Sequence, residues 1–229
     1  MNRDLLIVGN AYDRHLERFI RALRVQRRQY SIDIFDISMR YGDIPSASLY
    51  DNAYMVRRHF PKFMYKIGGL SKIAKYFDVR ESFKELKQNY KVINIQVVTI
   101  QSYILLKLLK KSSIYLITTP WGSDVYRITD SMRKKYQKVY DASEYVCVMP
   151  NTKFGDDIID IFNVSKEKCL ELCFGSDVLD RVMVDKIPKD EAKKKMFGTN
   201  DNFVITCGYN AASAQNHLHI VDALGQIKE

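Results

Sequence analysis

The sequence predicts an α/β protein built on a parallel β-sheet with helices on both faces. Two observations carry this prediction. From Lys91 onward, strand-length runs rich in β-branched residues alternate with segments of helical periodicity. Near the start of the chain, an apolar run, a glycine turn, an amphipathic segment and a second apolar run form a strand–helix–strand unit. Repeats of this length join parallel strands by crossovers, right-handed by default, that cover the sheet.

In chain order, Asp4 to Gly9 is the first strand, and Gly9-Asn10 turns out of it. Asn10 is the expected cap of a helix reaching about Val25, with Leu16, Phe19, Ile20 and Leu23 on its inner face. Tyr30 to Ile37 alternates apolar and polar residues and reads as the second strand. The turn holds only one glycine, so it is no dinucleotide-binding G-x-G-x-x-G fingerprint. Arg40 to Ser48 is a loop. Leu49 to Tyr76 reads as mostly helical, broken near Pro61 and at Gly68-Gly69, and Phe83 to Asn89 as another short helix.

The regular part follows. Val92 to Thr99 is a strand, Gln101 to Lys111 a helix, and Ile114 to Thr119 a buried strand stopped by Pro120. Ile128 to Ser143 is a lysine-rich helix, Tyr145 to Met149 a strand, and Asn151 the expected cap of a helix reaching Phe162. Lys168 to Phe174 is a strand ending at Gly175-Ser176-Asp177. Residues 178–202 read as a linker with one short basic helix. Phe203 to Gly208 then starts a strand, followed by a polar loop and a helix from Gln215 to Lys228. One βα unit cannot form a core of its own, so the chain is expected to stop just inside a second domain.

Composition narrows the function classes. No window reaches the roughly 18 to 20 apolar residues of a membrane span, and the start of the chain is not a signal peptide, so a cytoplasmic protein is expected. The four cysteines sit in or beside expected strands and read as buried thiols. Cys169 and Cys173 would lie about 13 Å apart on a strand, too far for one disulfide or one metal. No metal site is expected. The net charge is +9 and uneven. Six arginines fall between Arg14 and Arg28, and ten Lys or Arg between Ala53 and Lys91. In the second stretch Val56, Phe60, Phe63, Met64, Ile67, Leu70 and Ile73 interleave with Arg57, Arg58, Lys62, Lys66, Lys72 and Lys75. That pattern fits either an interfacial segment on anionic membrane or a core-facing helix with a basic outer side.

Trp121-Gly122-Ser123-Asp124 falls at the C-terminal end of a strand, where ligands of open parallel sheets bind. Trp121 offers a face for a sugar ring, Gly122 allows close backbone approach, and Ser123 and Asp124 can hydrogen-bond a polyol. The same residues also suit a core plug and a helix cap.

Three segments together resemble the group 1 glycosyltransferases of the GT-B fold, the retaining family 4. They are Thr119 to Val125 after a strand; Tyr145 to Pro150 with its helix and then Lys168 to Asp177; and Val204 to Tyr209 with Gln215-Asn216-His217. The resemblance implies a Rossmann-like acceptor domain at 1–177, a linker at 178–202, and the truncated start of a nucleotide-sugar domain at 203–229. It implies transfer of a sugar, with retention, to a glycan or lipid-linked acceptor in cell-surface polysaccharide or glycoconjugate synthesis. The implied site is Asp124 as the catalytic residue, with Gly9, Asn10, Trp121, Gly122 and Ser123 on the acceptor and transferred sugar. Gly208, Tyr209, Asn210, Gln215 and Asn216 would face the donor diphosphate. No cofactor or metal is implied, and a place at the inner face of an anionic membrane fits the acceptor.

The family usually has an Arg and a Lys where this chain has Tyr209 and Gln215, and its paired glutamates lie further along the donor domain. The 229-residue chain alone is therefore expected to be inactive. The alternative is a non-catalytic basic module for phosphate-bearing or nucleic-acid partners; no RNA-binding signature is present, and no nucleic-acid partner is expected.

Overall fold

The computed structural model describes residues 2–27, 29–86, 89–109, 114–172, 184, 187–199, 221–223 and 225–226. The chain divides into two compact units, Met1–Cys173 and Phe174–Glu229. In the second, the described residues include one helix, Lys189–Phe197, closed by Gly198 in the left-handed region.

The first unit is a seven-stranded parallel sheet: β1 (Asn2–Gly9), β2 (Ile32–Asp36), β3 (Asn52–Met55), β4 (Asn89–Gln96), β5 (Tyr115–Thr119), β6 (Tyr145–Val148) and β7 (Cys169–Glu171). Their spatial order is β3-β2-β1-β4-β5-β6-β7, and every neighbouring pair is parallel. This is the order of a Rossmann-like fold. The helices are α1 (Arg14–Gln26), α2 (Gly68–Lys84), α3 (Ile100–Leu106), α4 (Ser123–Tyr126), α5 (Asp130–Ala142) and α6 (Lys153–Phe162). The helix of the second unit is α7.

Alternation along the strands assigns the two faces. Ile7, Ile32 and Ile34 share a cluster with Leu16 and Ile20 of α1. Leu6, Val8, Phe35, Ile93, Ile95, Leu116, Val146 and Val148 share the larger cluster with Val79 of α2, Ile104 and Leu105 of α3, Val139 and Tyr140 of α5, and Ile158 and Phe162 of α6. Full burial of an aliphatic or aromatic side chain contributes about 1.5–3 kcal/mol, so the larger cluster dominates the unit's stability. The two faces are thus unequally covered. Toward the far side of the sheet, Tyr115, Tyr145 and Leu170 stay partly exposed.

Several expectations are corrected. Asp13, not Asn10, caps α1, accepting from the His15 N–H. The Asn10 side chain instead closes the turn on the Tyr12 N–H. Thr152, not Asn151, caps α6 by accepting from Gly155; Asn151 takes a left-handed backbone conformation. The expected helix from Leu49 contains strand β3, and the expected helix at Phe83 is the last turn of α2. Asn52-Ala-Tyr-Met has no strand periodicity. It is a strand because Asp33 accepts from both the backbone and the side-chain N–H of Asn52, beginning a ladder that runs to Asp36 and Met55. β2 does not show a polar face: all five residues are buried. Cys147 and Cys169 are half-buried rather than buried thiols. Cys173 and Cys207 lie outside the described residues, as do 203–220 with the expected strand and phosphate loop.

At the N-terminal end of the sheet, Asp4 accepts from both the N–H and hydroxyl of Ser31, and from Lys91 at 2.7 Å. The Lys91 ammonium and the Ser31 backbone hold its carboxyl down, to a pKa of about 2. A lowered pKa means stability that is present above the ordinary carboxylate range and lost as pH falls through about 2. The pair is partly exposed, so solvent screening reduces its worth. Asp4→Asn is expected to lower stability by about 1 kcal/mol at pH 7, with the gap from wild type closing between about pH 4 and pH 2. Urea midpoints across that range check both the size and the sign.

Candidate functional site

In this strand order the chain leaves β1 toward β2 but reaches β4 on its other side. The loops after β1 and β4 therefore diverge and leave a crevice at the C-terminal edge of the sheet. Gly9 ends β1 there. A Cβ on Gly9 would stand 3.1 Å from Gln96 Cβ and 3.2 Å from Leu16, so any side chain there would press on the packing of β1 against β4 and α1. Beside it the Ala11 N–H donates to Asp36 at 2.9 Å, and Ser38 donates to the same carboxylate through its N–H and hydroxyl. The acid at the end of β2 is thus buried and engaged by the chain.

The β4 and β5 ends form the other wall. Asn94 and Gln96 lie two apart on one face of β4, and both are buried. The Trp121 indole N–H donates to Gln96 Oε1 at 2.9 Å. Gln96 Nε2 donates to Asn94 Oδ1 at 2.6 Å, and Asn94 Nδ2 to Thr119 Oγ1 at 3.2 Å. Indole is a donor only, so it sets the orientation of both amides in turn. The chain of bonds fixes the indole ring in place. The His15 ring, on the first turn of α1, lies 5.3 Å from it at a 45° tilt. Trp121 is half-buried at this edge of the sheet.

Asp124 locks this wall. It is 3% exposed. One carboxylate oxygen accepts from the Val98 N–H at 2.8 Å, and the other from Trp121 and Gly122 at 2.9 and 3.0 Å. It therefore ties the loop after β4 to the loop after β5. Burial pushes its carboxyl above the usual value, against these N–H groups, which favour the anion. Gly122 has φ +102°, and a Cβ there would meet only a Phe154 ring carbon at 3.8 Å. Conformation rather than space demands glycine. Val97 has φ +68°, an outlier for a β-branched residue, held by its N–H to the Thr119 carbonyl at 3.0 Å. Backbone strain of this kind clusters at functional sites.

No protein-family model matches the sequence, and no curated protein matches it. Among solved structures, dTDP-glucose 4,6-dehydratase from Bacillus anthracis in complex with NAD matches at 16% identity and a TM-score of 0.37, over 66% of this chain. The match spans 56% of that enzyme's length.

Of the expected site residues, the structure brings Gly9, Asn10, Trp121, Gly122 and Asp124 to one edge of the sheet. Ser123 is exposed in the first turn of α4 and does not cap it. Asp124 was expected to orient sugar hydroxyls; in the structure its oxygens accept three backbone N–H groups. Gly208, Tyr209, Asn210, Gln215 and Asn216 lie outside the described residues. His15, Asp36, Asn94, Gln96 and Val97 join the site without having been singled out from sequence. Asn94 and Gln96 did leave a signal, two amides two apart in an otherwise apolar strand; Val97 left none.

A second cluster stands at the same edge. The loop after β2 carries Arg40 over the Tyr12 ring at 4.8 Å, and Tyr12 donates to the Gly42 carbonyl. Arg58, beyond β3, sits 4.1 Å from the Tyr41 ring and 5.4 Å from that of Tyr65. The Tyr65 hydroxyl donates to buried Asp78 at 2.7 Å. Burial and that carboxylate push the phenol up to about 12.

Proposed function

We propose that the first unit is the acceptor-binding half of a retaining glycosyltransferase that draws on a nucleotide-sugar donor. The observation that supports it is Trp121: a half-buried indole, locked by Gln96 at the crevice between β1 and β4, with His15 beside it. An indole held at its N–H by a hydrogen bond is a fixed apolar surface of the kind that packs on the apolar face of a sugar. A dinucleotide mode is less well supplied. The first turn carries one glycine, and Asp36 is occupied by Ala11 and Ser38 rather than open to ribose hydroxyls.

In this reading Trp121 packs on the acceptor or transferred sugar, and Asn10, Gly122 and Ser123 border it. Asp124 acts as a positioning residue, holding Trp121 and the strained loop after β4. The reaction joins an acceptor hydroxyl oxygen to the anomeric carbon on the face from which the nucleotide leaves. The carbon–oxygen bond to the diphosphate breaks, and the departing phosphate oxygen takes the hydroxyl proton. No side-chain nucleophile is required.

Trp121 is the single tryptophan of the chain, so its emission reports on the crevice alone. Titration with mono- and disaccharides and with nucleotide-sugars is expected to give a saturable change in that emission, and NAD none. Trp121→Phe, followed by calorimetry, is expected to weaken the saccharide about tenfold. A saturable response to NAD, or to an oligonucleotide, with none to any saccharide would overturn the reading in favour of a dinucleotide site or a non-catalytic module.

A further inference from the structure

From Asn52 to Phe77 the chain carries six Lys or Arg and no acid. The segment folds as a 3-10 helix, Lys62–Lys66, running directly into α2. Buried Asp78 organises it. Asp78 accepts from the His59 backbone N–H and from the Tyr65 hydroxyl, pulling residues 59–65 onto the helix. The buried positions of α2 are Ala74, Asp78, Val79 and Ser82. With the inward stripe half polar, large apolar residues are left outside. Phe63 is 60% exposed, Ile67 51%, Leu70 37% and Ile73 51%. Ile67, Leu70 and Ile73 recur every three residues and so share one side of the helix and its entry.

Lys66 borders this strip, Lys62 precedes it, Lys72 and Lys75 stand further round the helix, and all four are exposed. Among the described residues, no ion pair engages any of the four. Neither the core nor local salt bridges account for the combination. An exposed aliphatic strip on a segment that carries four exposed lysines on long, flexible stems is complementary to one kind of surface: acyl chains beneath anionic headgroups. A nucleic acid would be served by the lysines alone. It stacks on successive aromatic rings, and this face offers Phe63 beside three aliphatic side chains, Ile67, Leu70 and Ile73.

We infer that this face, Lys62 to Lys75, docks the protein on an anionic lipid bilayer. The side chains of Phe63, Ile67, Leu70 and Ile73 enter the headgroup–acyl boundary, and the four lysines contact lipid phosphates. The docking does not depend on the reaction at the crevice. The segment follows β3, and Arg58 stacks on Tyr41 of the loop after β2. The docking face thus joins the C-terminal edge of the sheet, where the proposed sugar site also lies. If the glycosyltransferase reading holds, the acceptor is lipid-linked and is met at the membrane.

The test is co-sedimentation of the 229-residue chain with vesicles free of any glycolipid. One set is pure phosphatidylcholine, the other contains about a third phosphatidylglycerol. The chain is expected to pellet with the anionic vesicles only, and less so as salt is raised. Phe63→Ser/Ile67→Ser/Ile73→Ser and Lys62→Gln/Lys66→Gln/Lys72→Gln/Lys75→Gln are each expected to lower partitioning at least tenfold. Arg14→Gln/Arg27→Gln, exposed at the two ends of α1, should leave it unchanged. All these side chains are exposed, and circular dichroism verifies that each variant is folded. Partitioning that is absent in wild type, equal on both vesicle sets, unchanged by the serine variant, or lost equally in the α1 variant would overturn the inference. So would tighter binding to poly(U) that the serine variant retains. Because no sugar is present, failure here leaves the glycosyltransferase reading standing, and failure of the fluorescence titration leaves this one standing.

Discussion

Asp124→Ala is expected to destabilise the first unit by about 3–5 kcal/mol, because three buried N–H donors lose their acceptor at about 1–3 kcal/mol each, partly offset by the desolvation of the carboxylate that is no longer needed. The carboxylate accepts three backbone N–H groups, from Val98, Trp121 and Gly122. Alanine leaves all three without that acceptor in a place where water enters poorly, and it removes the tie between the loops after β4 and β5. Asp124→Asn keeps one oxygen but turns an NH2 group toward N–H donors, so a loss of about half that size is expected. Urea denaturation measures both. Equal slopes would show that stability changed rather than the denatured state. A cost under about 1 kcal/mol for the alanine variant would show that the loops hold each other without the carboxylate, leaving Asp124 free for the ligand contact expected from sequence.

Gln96→Leu is the second large effect. Leucine matches the volume but removes both ends of a relay. Asn94 Oδ1, buried under the sheet edge, loses its donor, and the Trp121 indole loses its acceptor. About 2–4 kcal/mol is expected, because two partners are stranded while the packing gain is small. The functional signature is separate. With the ring released, the Trp121 emission of the folded variant should no longer respond to saccharide. Gln96→Glu is the conservative companion. It still accepts from the indole but cannot donate to Asn94, so it should keep the ring and lose part of the stability. If Gln96→Leu kept the full saccharide response, Trp121 would be held by packing alone.

These two variants show where the sequence is legible. Trp121, Gly122 and Asp124 stand out by residue type at a strand end, and the structure places them at the crevice. What Asp124 does there depends on Val98, 26 residues earlier. No local pattern announces that partner, because it exists only when β4 and β5 pair in this register. Asp36 and Gln96 follow the same logic: each holds a polar atom of a loop that a neighbouring strand delivers. Asn94 and Gln96 were readable as an oddity, since two amides in an apolar strand need partners. Their partners were not readable.

The elements divide in the same way. β1, β4, β5 and β6 and helices α1, α5 and α6 follow from apolar runs and helical spacing, because periodicity records which face of a local element is buried. β3 does not. Asn52 to Met55 becomes a strand through Asp33 and the edge of β2, and a helix-like reading of the same residues fails for want of that neighbour. α2 is the mixed case. Its apolar residues suggested either a core-facing or an interfacial helix, and only the placement of Asp78 decided that Ile67, Leu70 and Ile73 stay outside.

By itself, then, the amino-acid sequence determined a parallel α/β sheet, the positions of its strand ends, and the loop that carries Trp121. The tertiary structure decided the strand order beyond β2, the partners of the buried carboxylates and amides, and the face that α2 presents. The physical reason is range. Burial periodicity is a property of a few turns of chain, whereas a buried hydrogen bond is made by whatever residue the pairing of distant strands brings within about 3 Å.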